Sequence, residues 1–215
     1  MKIVAAVGFG ALALLALLIT LLTARFYTFD ATQLDEFLRS NLLNHPIPFY
    51  IHVLLGPLVL ILGIWQFLPV TRRGWYHRWA GRVYVAGVMA SGIGALIVAP
   101  TTAAGPIVGT GFAIMAVLWL TTTAMAYLKV RAGRYAEHRR WMIRSYAVTC
   151  GAITLRIIVP VGLASGLDFP TAYLIAAWGC WSINLAIAEL IIRRKKGPRD
   201  LPKDRVAPVA DVAIA

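Results

Sequence analysis

The chain has 215 residues, 60% of them apolar by type and only 14% charged, with a formal net charge of +12 and a mean hydropathy of +0.73. An ordinary soluble domain carries about 25% charged residues, so this composition excludes a disordered chain, a disulfide-stapled secreted module and a soluble nucleic-acid-binding domain. It is the composition of a membrane protein. Six helices of ~20 residues each would use most of the chain and leave no second soluble domain.

The first apolar run, 3–23, exceeds the ~7–15-residue apolar core of a cleavable signal and lacks a good cleavage site around Leu22, Thr23 and Ala24. It reads as a retained helix. In the loop that follows, Asp30 and Gln33 have the form of a capping box, and Leu34, Phe37, Leu38 and Leu42 recur at helical spacing before Pro46 and Pro48. This predicts an amphipathic helix over about 31–43, acting as an interfacial anchor or as a lid over that end of the bundle. Five further runs cover 49–70, 83–99, 106–128, 145–163 and 171–192. Each is long enough to cross a ~30 Å hydrocarbon layer, where unpaired backbone groups are forbidden and a run of this kind must be helical. From 197 to 215 the chain mixes proline, charge and small residues without periodicity, which predicts a disordered tail. Cys150 and Cys180 both fall inside apolar runs and read as buried free thiols.

Charge orients these spans. Lys2, the loop from Arg72 to Arg82, the loop from Lys129 to Arg144, and the segment from Arg193 to Arg205 hold 18 of the 21 basic residues on one set of flanks. Arg25 and Arg39 fall on the other side, and Arg156 lies within a span. Positive flanks belong in the cytoplasm, so six spans with both termini cytoplasmic are expected, in the inner (plasma) membrane of a bacterium. Lipid bilayer, with anionic lipid at the Arg193–Lys196 cluster, is the expected partner. A protein partner or a second copy is compatible with the sequence, and nucleic acid is not expected.

Two cytoplasmic loops share a pattern. Trp79, Arg82 and Tyr84 match Trp141, Arg144 and Tyr146 as W-x-x-R-x-Y, each with a histidine, His77 or His138, just upstream. Both copies open a helix returning outward. The pattern is that of two parallel hairpins related by an axis along the membrane normal, or of two interfaces independently enriched in Trp, Tyr and Arg.

Polar side chains form stripes on these spans. His138, Ser145, Thr149 and Arg156 are spaced by 7, 4 and 7; His77, Tyr84 and Ser91 by 7 and 7; His52 and Gln66 by 14. At ~100° per residue each set shares a face. Turned inward, with Arg82 and Arg144 at one end, they would give the bundle a polar axis, in contrast to the Gly, Ala and Ser of a purely structural interface. Arg156 stands near the middle of its span, where a charge costs at least ~2.5 kcal/mol. Its partner must be backbone carbonyl, water, an acid from the outer loops, or an anionic ligand, unless it snorkels to the surface. A neutral imidazole can ligate haem iron. His77 and His138 open helices on the same side and form a candidate haem b pair, whereas His52 at the other end faces no histidine, with Met115 as the nearest candidate sulfur. The bland reading of each is an interfacial histidine bonded to a loop carbonyl. No phosphate-binding loop, nucleophile elbow, zinc-protease motif or dinucleotide fingerprint is present.

The stretch from His52 to Arg156 resembles a bacterial family of multi-pass membrane proteins, domain of unknown function 2306. The resemblance rests on Gly56-Pro57, Gln66-Phe67, His77-Arg78, Gly81-Arg82 and Tyr84, then His138, Trp141-Met142, Arg144 and Arg156. It implies fold and location and carries no activity. A looser similarity links the chain to the di-haem transmembrane cytochrome b superfamily, whose four-helix core carries paired histidines. Lacking a second deep histidine pair, this chain departs from that pattern, which implies one haem or none.

The expectation is an all-α polytopic membrane protein with six transmembrane helices, spans two to five forming a core. Three functions stay open: a haem b or quinone-linked redox protein with Arg156 holding a propionate or quinone oxygen, a small-solute or proton transporter using the polar axis, and a structural or assembly subunit without chemistry of its own.

Overall fold

The computed structural model describes residues 2–23, 36–68, 71 and 74–194. Among these there are eight α-helices and no strand: α1 (Lys2–Thr23), α2 (Glu36–Asn44), α3 (Pro46–Phe67), α4 (Trp75–Val98), α5 (Pro106–Arg131), α6 (Tyr135–Thr149), α7 (Gly151–Ala164) and α8 (Phe169–Arg194), with a 3-10 turn at Ala99–Thr101. Five helical segments are long and apolar enough to span a membrane, with α6 and α7 counting as one of 30 residues, and α1 adds a shorter apolar helix. The protein is an all-α, multi-pass membrane protein. The capping box at Asp30 and Gln33, the first residues of the expected amphipathic helix and the tail from 197 lie outside the described residues. That surface helix is seen as α2, ending just before Pro46.

Helix ends follow local chemistry. Pro46 and Pro106 sit in the first turns of α3 and α5, where a missing N–H costs nothing. Gly133 after α5 and Gly166 after α7 take φ of 70° and 87°. Each allows the chain to fold back so that Arg134 N–H bonds Lys129 C=O and Leu167 N–H bonds Gly162 C=O, the double-bonded glycine stop that satisfies orphan carbonyls.

Helices α3, α4, α5 and α6 pack in sequence, and α6 returns to α3, closing a four-helix ring in which α4 and α6 stand diagonally. Glycines set the spacing. A side chain at Gly87 would strike Val59, and one at Gly94 would meet the Pro48 carbonyl 2.6 Å away, so the α3 and α4 backbones approach closely as small residues permit in membranes. Helix α8 lies outside α5, α6 and α7, and α1 lies mainly against α3. Val59, Leu60, Tyr84, Val88 and Val148 fill the centre and are almost wholly buried. Outward-facing Leu58, Ile93, Val117, Ile157, Ile183 and Ile187 are exposed, as helices in contact with lipid require.

At Cys150 the backbone stays right-handed but opens to ψ −9°, and the span is divided there into α6 and α7. Its lower half belongs to the ring. Its upper half packs chiefly on α8.

Candidate functional site

Two groups of polar residues stand out inside the ring. The first is at mid-depth. Tyr84 of α4 is fully buried, and its hydroxyl lies 2.9 Å from both Ser145 Oγ and Thr149 Oγ1 of α6. Thr123 Oγ1 of α5 is 2.7 Å from Ser145 Oγ, and Trp119 Nε1 donates to Thr149 Oγ1 at 2.8 Å. Thr149 also bonds the Ser145 carbonyl at 3.0 Å. Three helices are thus joined through hydroxyl groups, which can donate and accept at once.

Next to it, toward the opposite end from the arginines, His52 Nδ1 is 3.1 Å from both the carbonyl and the hydroxyl oxygen of Ser91. The Ser91 hydroxyl donates back to the His52 carbonyl at 3.2 Å, and the His52 ring stands edge-on to Trp119 at 6.4 Å. Met115 is turned away from His52: its sulfur accepts from Cys180 Sγ of α8 at 3.8 Å.

The second group is at the basic end. Gln66 Nε2 donates to the His77 carbonyl at 3.2 Å, holding the last turn of α3 to the first of α4. His138 Nδ1 lies 2.8 Å from the Ala126 carbonyl of α5. A carbonyl only accepts, so Nδ1 is the donor in this bond and Nε2 is the ring nitrogen turned away from it. The bond between Tyr84 and Ser145 sets the two diagonal helices level. His77 and His138 each lie seven residues before a partner in that bond, two turns or about 10 Å further toward the basic end.

Arg144 clasps both oxygens of Glu189 on α8, with 3.1 Å between Nη2 and Oε2, while its guanidinium covers the Trp141 ring at 4.7 Å. Arg82 is exposed. Arg156 is exposed too, its Nη1 donating to the Ala152 carbonyl one turn back at 3.0 Å. It lies eighteen residues beyond His138, about 27 Å along the helices, so a cofactor held at His138 cannot also use Arg156 for a propionate.

Of the residues singled out from the sequence, Tyr84 and Thr149 meet in one network, Gln66 touches the His77 backbone, and His52 stands beside the network through Trp119. Arg82, Arg144 and Arg156 lie apart from it. Trp119 and Thr123 were not singled out. Their signal is the spacing of Trp119, Thr123 and Ala126, all buried on one α5 face. In the W-x-x-R-x-Y pair only the tyrosines behave alike: Tyr146, buried like Tyr84, reaches from α6 to the Leu60 carbonyl of α3 at 3.2 Å.

A hydroxyl-linked four-helix ring with lipid-facing apolar flanks defines a polytopic α-helical membrane protein. Residues 49–192, about two thirds of the chain, match the model of the family described as predicted membrane protein (DUF2306). The chain belongs to that family. No curated protein and no solved structure matches it.

Proposed function

We propose that the protein is a transmembrane redox carrier holding one haem b between His77 and His138, in the inner membrane of a bacterium with the basic end cytoplasmic. The observation that carries this reading is the 2.8 Å bond from His138 Nδ1 to the Ala126 carbonyl. A metal-ligating histidine is commonly fixed in this way, its other nitrogen left basic and aimed by the backbone. His77, at the same level on the diagonal helix by residue count, would supply the second imidazole. The opposite end does not fit a second haem, because Met115 bonds Cys180 and Trp119 stands against His52. Haem supplies a one-electron couple when bound. Gln66 anchors the helix turn that carries His77, and the packed Tyr84 layer above excludes water from the far side of the site. The orientation rests on the concentration of lysine and arginine on one set of flanks.

The test is the absorption spectrum of purified protein, oxidised and dithionite-reduced, after expression with haem supplied. The wild type should show a reduced-form band that His77→Ala and His138→Ala each abolish and His52→Ala retains. A colourless wild type overturns the proposal.

The hydrogen-bonded series Trp119–Thr149–Tyr84–Ser145–Thr123 favours a second reading, passage of a proton or small solute along the ring. Flux into proteoliposomes, cut by Tyr84→Phe and Thr149→Val, would support it; equal flux in wild type and variants would remove it.

A further inference from the structure

Between the first turns of α6 and the last turn of α8 lies a cavity of about 360 Å³ lined by Glu137, Arg140, Trp141, Arg144, Glu189 and Arg193. That is within the ~300–1,000 Å³ range of small-ligand pockets. Its two carboxylates are already engaged by cations: Glu189 by Arg144, Glu137 by Lys129 at 3.0 Å and by Arg134. The lining itself holds three arginines against two carboxylates, a net charge of one positive, and Lys129 and Arg134 add two further cations where they meet Glu137 from beside it. Trp141 lines it with its indole covered by Arg144, and its walls are the ends of α6 and α8. Trp and Arg prefer that depth, and guanidinium groups recognise phosphate through paired N–H donors.

We infer that this cavity is a binding site for the phosphate headgroup of an anionic phospholipid, seated between α6 and α8 with Arg140 and Arg193 as its principal cationic ligands and the Arg144–Glu189 pair as its fixed wall. The site lies on the pairing of α6 with α8, outside the ring, and a lipid seated there would hold the last helix to the core. It does not depend on haem.

The test is thermal unfolding of purified protein in nanodiscs of phosphatidylcholine alone or with one fifth phosphatidylglycerol. Wild type should melt about 5 °C or more higher with phosphatidylglycerol, as expected for a ligand well above its dissociation constant. The double variant Arg140→Gln/Arg193→Gln should lose that rise while melting normally in phosphatidylcholine. The double variant Arg78→Gln/Arg82→Gln, which removes two charges at the same end but away from the cavity, should keep it. Equal loss in both variants, or no lipid dependence in wild type, overturns the site. Inorganic phosphate reproducing the rise in phosphatidylcholine would overturn its assignment to lipid.

Discussion

The aromatic ring of Tyr146 lies directly over Gly63, so close that a Cβ on residue 63 would overlap it. This contact closes the four-helix ring. It lets the Tyr146 hydroxyl reach the Leu60 carbonyl and lets the ring meet Phe67 at 5.4 Å.

Gly63→Ala should therefore displace Tyr146 and break both contacts, at the cost of about 1–3 kcal/mol usual for overpacking. Gly10→Ala in α1, where a Cβ meets nothing within 4 Å, should be neutral or slightly stabilising. Unfolding in detergent distinguishes them; equal behaviour would show that Tyr146 can move freely.

Tyr84→Phe and Thr149→Val each remove hydroxyls from a network buried from solvent. Each should cost about 1–3 kcal/mol through partners left unmade. The double variant should cost less than the sum, with a coupling of about 0.6–1.7 kcal/mol, the scale of hydrogen bonds between membrane helices. Strict additivity in a double-mutant cycle would mean that the two groups do not bond.

Arg156→Met should leave folding intact. The guanidinium is exposed and bonds its own helix, so its loss uncovers no buried partner, whereas a charge within a span costs ~2.5–3.5 kcal/mol on insertion scales. The inserted fraction and the melting temperature should be equal to wild type or higher. A marked fall in either would give Arg156 a role in holding helices together.

Orientation is testable with reporters. A fusion after Lys196 should read cytoplasmic, and a tag at Gln33 should read external, because the arginine-rich flanks stay inside. A cytoplasmic tag at Gln33 contradicts the orientation.

Helices were legible in the sequence because lipid allows a long apolar run no other backbone. The pairing of Tyr84 with Ser145 and Thr149 was legible as two inward stripes. Arg156 was read into the same stripe, since 138, 145, 149 and 156 share a face on one continuous helix. Beyond Cys150 the span leaves the ring and packs chiefly on α8, so the face that carries Thr149 inward is no longer covered at Arg156, which is exposed. The local signal is Gly151, the first residue of α7, a glycine inside an apolar helical run. The apolar runs mark the membrane crossing and not the whole helix: α4 begins at Trp75 and α6 at Tyr135, before the runs at 83 and 145, because charged and aromatic first turns stand at the interface. Trp119 escaped notice because tryptophan counts as apolar, although its N–H must find a partner when buried.

The order in which the bonded groups leave the ribosome differs from the order in which they need one another. Tyr84 enters the bilayer with the α3–α4 hairpin, 61 residues ahead of Ser145 and 65 ahead of Thr149. Until α6 arrives, its hydroxyl has none of its final partners, and the same is true of the Leu60 carbonyl's bond to Tyr146. The groups that weld the finished ring are thus the ones that burden the half-made one. Nascent chains arrested before residue 145 should be held by the insertion machinery longer than those arrested after 149.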